Sequence, residues 1–533
     1  MTSIPDRRPL GELVARLAGQ GRLHGTRLDG QPVPTSEPAL ARVELTGVTH
    51  DSRAVRPGML FVAIPGQRVD GHDFGPAAIE AGAAGVLVER PLAGVAAPQV
   101  VVADARRALA TAAAWWFGDP SHQLTVVGIT GTDGKTTTAH LAVAALEAAG
   151  LSTGMVGTIA TRIGGRTEAH EAHATTPEAP ELQAALRAMV DAGDRVAVVE
   201  TTSHGLALDR VAEIVYDVAI LTNVTHEHLE LHGSWEAYRD AKLSLFDRLR
   251  DARGVTKPEP VPPAAIVNLD DPSAGLFIGT ARDAGARVIT YGTEPAADIR
   301  ATGVTENPRG LHADIVTPSG TARIDLRLAG RFNIHNALAV VALGDALGLD
   351  LKRVRAGLAS LEVVPGRMER IEMGRPFTVI VDFAHSPASL QAVLDLLAPT
   401  AAAQGGGIIA VFGSAGERDT AKRPQMGRIA GERARLVVLT DEDPRGEDRL
   451  AILDDIARGA EAAGRRRGHD LLLIADRREA IAAAFDAARP GDIVLLAGKG
   501  HERSIAGPDG ERPWDEKAVA QELLESLREM DTR

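Results

Sequence analysis

The chain has no cysteine, which excludes disulfides, thiolate metal sites and cysteine nucleophiles and leaves the redox compartment open. No apolar run approaches the length of a membrane span. Asp6, Arg7 and Arg8 stand close together near the N-terminus, unlike the apolar core of a signal peptide, so the expectation is a cytoplasmic protein. Aromatic residues make up only 3% of the chain, beside many Ala, Gly and Arg, a trait without functional force. Basic residues are outnumbered by acidic ones, and the net charge of −13 argues against a nucleic-acid partner. Sequence repeats and long low-complexity tracts are also lacking. What remains, 44% hydrophobic and 24% charged residues over 533 positions, is the composition of a soluble globular protein of three or four domains.

The most informative segment is GITGTDGKTTTAHL, residues 128–141. It follows the apolar run Leu124-Thr125-Val126-Val127 and leads into an Ala/Leu-rich helical stretch ending at Gly150. Strand, glycine-rich turn and Lys-Thr-Thr opening a helix form a cradle for nucleotide phosphates. Gly131 and Gly134 let backbone amides turn toward an anion, with Thr132 and Asp133 between them, and the helix N-terminus adds positive potential. Lys135 is placed to reach β/γ-phosphates and Thr136, followed by Thr137, to bind Mg²⁺. The common spacing has Gly where Ile129 stands, so the loop is a variant. An ordinary turn and helix cap is the bland alternative; ATP binding is the reading adopted.

Three segments emerge: 1–119, 120–362 and 363–533. The first mixes short β-rich runs (60–64, 85–88) with an Ala-rich helical stretch. The second alternates strands (124–130, 196–200, 218–223, 264–268, 286–291) with helical stretches (135–149, 181–192, 234–249, 335–347), which predicts a mostly parallel sheet covered on both faces. The proline-rich 254–263 reads as an exposed loop. The third carries strands at 377–382, 407–412, 435–440, 471–475 and 491–497, each followed by a helical pattern, as in doubly wound folds. The expected class is α/β in three domains: a mixed N-terminal unit, a central phosphate-loop parallel sheet and a Rossmann-like C-terminal unit.

Glu200 ends a buried-strand run, at the edge where such sheets bind ligands, and is a candidate Mg²⁺ ligand. A surface or helix-capping Glu is the equal alternative on pattern alone. His226, His228 and His232 could suggest zinc, but the spacing is loose and no cysteine assists; one histidine beside a magnesium site fits better. Lys242 lies in a helical stretch whose apolar side includes Leu243, Leu245, Phe246 and Leu249, so the local pattern reads as a solvated helix lysine.

In chain order the sequence carries GTDGKTTT, VVETTSHG, TNVTHEHLELHG followed by Lys242, GRFNIHN, VPGRMER, VDFAHSP and AGKGHE. Together these resemble the Mur ligases, ATP-dependent enzymes that add successive residues to the peptidoglycan stem peptide, from about residue 46 to the C-terminus. TTSHGL, the HG after the histidine loop, GERD and GKGHE are most similar to the members that join a diamino acid to UDP-N-acetylmuramoyl-L-alanyl-D-glutamate.

The resemblance implies an acyl-phosphate mechanism on the D-Glu γ-carboxylate, with Lys135, Glu200, His228 and Lys242 catalytic. Thr136, Glu200 and His228 would hold Mg²⁺, supported by Lys242 as a CO₂-derived carbamate; this reverses the local reading of that lysine. It also implies ATP contacts from Asn333, Asn336, Arg367 and Asp382, helix capping being a rival role for Asn333. UDP-substrate contacts would come from Ser52, Gln67, Arg68, Val69, Thr175, Thr176, Thr202 and Arg210. The implied enzyme is a monomer without a membrane span. Ala174 and Leu208 depart from an expected Asn and Gln, and His50 from an apolar residue.

For the amino acid the resemblance implies Arg418, Gly498 and Glu502, with Glu502 accepting from a distal ammonium. The specificity motif is Glu442-Asp443-Pro444-Arg445, where diaminopimelate-adding members read Asp-Asn-Pro-Arg. Arg445 favours a second, remote carboxylate and therefore meso-diaminopimelate. The two acidic changes would suit lysine or ornithine. A folylpolyglutamate-type ligase and a non-catalytic nucleotide-gated binding protein are the more distant alternatives.

Overall fold

The computed structural model describes residues 6–66, 69–169, 175–225, 232–307 and 310–531. Three sheets follow one another along the chain, and their order explains where ligands can bind.

The middle sheet has eleven strands. Its parallel part runs Thr153–Val156, Val196–Glu200, Thr125–Thr130, Val218–Leu221, Ala264–Asn268, Arg287–Gly292 and the start of Ile299–Asn307. Antiparallel strands extend both edges, Ala160–Ile163 with Arg166–Ala169 on one side and Gly310–Thr317 with Gly320–Leu326 on the other. Every residue of Thr125–Thr130 is buried, as a parallel strand with helices on both faces requires. Fully burying each of its Val and Ile side chains is worth roughly 1.5–3 kcal/mol. Chain order leaves Thr125–Thr130 on one side toward Val196–Glu200 and later on the other toward Val218–Leu221. That reversal opens a crevice at the carboxyl end, which is occupied by residues 131–134.

The N-terminal sheet has six strands, ordered Gln31–Val33, Leu23–Leu28, Gln99–Val102, Gly85–Val88, Met59–Val62 and Gly47–Thr49. Its unit is fastened to the middle one by ions. Arg16 and Arg22 both reach Glu213 of the middle unit, at 3.2 and 2.6 Å, and Arg16 also grips the two oxygens of Asp119 at the junction, at 2.7 and 2.8 Å.

The C-terminal sheet is parallel through Thr378–Asp382, Ile493–Ala497, Ile408–Phe412, Leu436–Leu439 and Leu471–Leu473, with Glu369–Ile371 antiparallel at its edge. Asp382 ends the first of these parallel strands, and the loops leaving the next three hold Gly498, Arg418 and Glu442.

The proline-rich segment 254–263 is an exposed loop apart from Lys257, which is buried within it. Its ammonium donates to the Leu124 and Val215 carbonyls, each at 3.0 Å, and to Asp217 at 2.6 Å. Burial pushes the Asp217 carboxyl up and the Lys257 ammonium down, each partly offset by the other's charge.

Candidate active site

The loop after Thr130 is shaped by what presses on it. A Cβ on Gly131 would lie 1.8 Å from the Thr222 hydroxyl oxygen, so only glycine fits. Residues from the neighbouring strand then brace the turn. Thr132 N–H donates to the Asn223 carbonyl at 2.8 Å and Asp133 N–H to the Asn223 side chain at 3.0 Å. The Thr222 hydroxyl donates to the Asp133 carbonyl at 2.7 Å. Gly134, at φ +84°, precedes the helix Lys135–Ala148, whose first N–H groups face the loop's concavity. Lys135 curls back, donating to the carbonyls of Gly131 at 2.9 Å and Thr132 at 2.7 Å.

Glu200 is completely buried. Its Oε2 accepts from the hydroxyls of Thr136 and Thr158, both at 2.9 Å, and its Oε1 accepts from Thr158 N–H at 2.9 Å. The Thr158 hydroxyl also lies 3.1 Å from that of Thr175, while the Thr176 hydroxyl donates to the Glu200 carbonyl at 2.8 Å. Hydroxyl and carboxylate oxygens therefore run without a break from the phosphate loop to the paired threonines. Thr158 belongs to none of the quoted motifs, and only the folded chain reveals its role. Thr202 caps the short helix Ser203–Ala207, its hydroxyl accepting from Gly205 N–H at 3.0 Å. Arg210 donates to the Thr176 carbonyl at 2.8 Å and pairs with Glu178 at 2.7 Å, holding the same turn.

Lys242 is not a solvated helix lysine. It is 1% exposed, and its Nζ lies 2.7 Å from the Gly131 carbonyl and 4.3 Å from the Tyr238 ring centre. The Tyr238 hydroxyl in turn contacts the Thr132 hydroxyl at 3.0 Å. His228 lies outside the described residues, as do Gln67, Arg68 and Ala174. Among the described residues no group of three His, Cys, Asp or Glu is arranged to hold a metal. The oxygens of Thr136 and Glu200 are nevertheless hard donors beside a phosphate cradle, the donor chemistry Mg²⁺ prefers.

A cavity of about 1230 Å³ opens between the phosphate loop and the C-terminal unit. Asp133, Thr136, Thr137, Asn333, Asn336, Arg367 and Asp382 all line it. Asn333 does not cap its helix: its amide donates to the Ala329 carbonyl at 2.7 Å and its oxygen accepts from Asn336 at 2.9 Å. Asn336 accepts from Thr138 at 3.1 Å, so it braces the phosphate-loop helix as well as facing the cavity. Burial pushes the Asp382 carboxyl up, Arg367 draws it back, and Asp133 of the phosphate loop is near enough to raise it further. Arg367 also stacks on Phe383 at 4.4 Å.

The amino-acid candidates gather at neighbouring strand ends. Asp443 accepts from buried Lys499 at 2.8 Å and from Ala506 N–H at 2.9 Å, so its extra charge relative to Asn is matched inside the wall. Glu502 contacts the same lysine at 2.5 Å. Lys499 thus already holds the carboxylate that the resemblance pairs with a distal ammonium. Glu442 is different: it is buried, and its Oε2 has no hydrogen-bond partner among the described residues. A Cβ on Gly498 would lie 3.1 Å from that oxygen, so the two sites adjoin. Ser52 opens the helical turn Ser52–Ala54, capped by Asp51, and Val69 is exposed.

Three family models match in chain order: the Mur ligase family catalytic domain over 44–115, the Mur ligase middle domain over 129–344 and the Mur ligase glutamate ligase domain over 366–500. The chain is 48% identical over 488 residues to the UDP-N-acetylmuramyl-tripeptide synthetase of Roseiflexus sp. (strain RS-1), covering 91% of this chain and 95% of that protein. The chain belongs to the Mur ligase family. As a member it is an ATP-dependent ligase. It is also 40% identical over 485 residues to the UDP-N-acetylmuramoyl-L-alanyl-D-glutamate--2,6-diaminopimelate ligase of Geobacillus thermodenitrificans (strain NG80-2), covering 91% and 96%. A solved structure of a ligase with that name is 30% identical with a TM-score of 0.61, covering 92% of this chain and 96% of the other. Among the described residues, no helix of this Mur ligase is long and apolar enough to cross a membrane.

Proposed function

We propose that this Mur ligase joins meso-diaminopimelate to UDP-N-acetylmuramoyl-L-alanyl-D-glutamate, consuming ATP, in the synthesis of a peptidoglycan precursor. The three segments 1–119, 120–362 and 363–533 divide the work: the first holds the UDP end, the second ATP, and the third the amino acid. The observations that carry the reading are the phosphate loop tied to buried Glu200 and, on the C-terminal unit, the buried Glu442 Oε2 beside Gly498, which has no hydrogen-bond partner among the described residues.

The reaction needs two anions brought together, so charge neutralisation dominates. Lys135 and the helix N-terminus take the β/γ-phosphates. Thr136, Glu200 and His228 would hold Mg²⁺ with Lys242 as a carbamate behind them, and the bound ion would screen the phosphates. A carbamate keeps one N–H, so the Lys242 bond to Gly131 is compatible with the modification. The γ-carboxylate of the substrate's D-Glu attacks the γ-phosphorus and ADP leaves. The amine then attacks the acyl carbon, loses a proton, and phosphate departs as the amide forms. Arg367 and Asp382, carried on the C-terminal unit, face the nucleotide cavity and help close it against water.

Thr175, Thr176, Thr202 and Arg210 shape the turn beneath the substrate's peptide, with Ser52, Gln67, Arg68 and Val69 at the uridine end. Arg418 takes the carboxylate next to the reacting amine. Diaminopimelate ends in an ammonium and a carboxylate, which Glu442 Oε2 and Arg445 respectively match. Lysine or ornithine would satisfy Glu442 and leave Arg445 without a carboxylate. The test is ADP release that requires both the UDP-dipeptide and the diamino acid; release driven by a folate, or by no second substrate, would contradict the reading.

A further inference from the structure

Arg423 is the second residue of the helix Lys422–Arg433 and is completely buried. Its Nη1 and Nη2 grip the two oxygens of Glu447 at 2.6 and 2.8 Å. Nη1 also reaches Asp455 at 3.0 Å and Nη2 the Ala415 carbonyl at 3.3 Å, leaving Nε unpartnered among the described residues. A buried guanidinium held at so many points fixes its partners in direction as well as distance.

Glu447 in turn touches the chain immediately before each pocket arginine. Its Oε2 accepts from the N–H of Glu417, the residue preceding Arg418, at 3.1 Å. Its own N–H donates to the carbonyl of Pro444, the residue preceding Arg445, at 3.1 Å. The two loops also meet directly, with Gly416 N–H donating to the Asp443 carbonyl at 2.8 Å. A Cβ on Gly416 would lie 2.1 Å from the Pro444 carbonyl oxygen, so the loops are as close as backbone allows.

Both loops are also strained. Glu417 has φ +55° and Arg445 φ +54°, in the left-handed region that side chains disfavour. Such conformations persist only where the surroundings over-determine them, and they concentrate at functional sites.

We propose that the Arg423–Glu447 clamp is a positioning device that sets the separation of Arg418 and Arg445, and thereby the selectivity for an amino acid with a remote carboxylate. The proposal rests on reading those two arginines as carboxylate ligands. Arg423 acts through Glu447 and the two strained turns.

The test uses the full-length enzyme carrying Arg423→Lys, Glu447→Gln or Arg445→Ala, with kcat and KM measured for diaminopimelate and lysine and KM for ATP. Each clamp variant should raise KM for diaminopimelate about tenfold or more while kcat stays within roughly threefold. KM for lysine and ATP should move by less than about threefold, and adding Arg445→Ala to Glu447→Gln should cost no further preference. Glu447→Gln, which keeps shape and a neutral hydrogen bond, should be milder than Glu447→Ala. An unchanged preference in both clamp variants overturns the proposal, as does a KM for ATP that rises in step. Unfolding of Glu447→Gln, seen in its melting curve, overturns it too, because the clamp would then hold the domain and not the pocket. If Arg445→Ala collapses the preference and the clamp variants do not, this inference alone fails. If Arg445→Ala leaves the preference intact, or the wild type prefers lysine, the reading of the arginines fails with it.

Discussion

The Nζ of Lys242 donates to the carbonyl oxygen of Gly131 at 2.7 Å, which ties a helix residue far along the chain to the first turn of the phosphate loop. Lys242→Ala should therefore cut ligation by roughly a hundredfold or more, since it removes a charge-bearing partner of the phosphate site. Added bicarbonate should not restore it, because no amine remains to carboxylate. Phosphate release is the measurement, with circular dichroism to check the fold. Near-wild-type turnover in the variant would rule out the carbamate.

The Lys257–Asp217 pair leads to a stability prediction. Lys257→Met leaves a carboxylate buried without its cation and should lower stability by about 3–5 kcal/mol in urea unfolding. Adding Asp217→Asn should recover much of the loss, since no unpaired charge then remains. Equal stability of the single and double variants would show that the pair is not coupled.

The His501 imidazole is pushed down to about 3 by burial and by the positive charge of Arg367, Lys499, His140 and Arg503. In the unfolded chain it titrates near roughly 6.5. Between those values the unfolded state takes up a proton that the folded state refuses. This contribution is thus intact above about pH 6.5 and is lost as pH falls toward 3. His501→Gln should flatten the stability–pH profile in that window by up to roughly 1.4 kcal/mol per unit. Parallel profiles for the two proteins would contradict the assignment.

The phosphate loop and the parallel strands are legible because each is a local signal. Val126-Val127 before Gly131, or Ile493–Ala497 before Gly498, reads as buried strand whatever surrounds it. The edge strands between Ile299 and Leu326 are not legible in that way: they mix Gly, Thr, Arg and Asp, pair antiparallel and leave one face to solvent. Buried charge is harder still. Lys257 sits in a proline-rich stretch and looks exposed until Asp217, forty positions earlier, is brought beside it. Asp443 looks like added negative charge until Lys499 is found against it, and only the fold shows that Glu442 Oε2 is left without a partner. Lys242 was recoverable only through its register with the neighbouring motifs, because its own helix gives no hint of the Gly131 carbonyl.

Competition among the three amino acids decides whether Arg445 meets a remote carboxylate. The purified protein is given ATP, Mg²⁺, UDP-N-acetylmuramoyl-L-alanyl-D-glutamate and equal amounts of meso-diaminopimelate, lysine and ornithine, and the product is read by mass. ADP should form, with the diaminopimelate adduct as the dominant product. A dominant lysine or ornithine adduct would make Glu442 and Asp443, not Arg445, the determinants of the third residue, and ADP formation without any adduct would contradict the ligase reading itself.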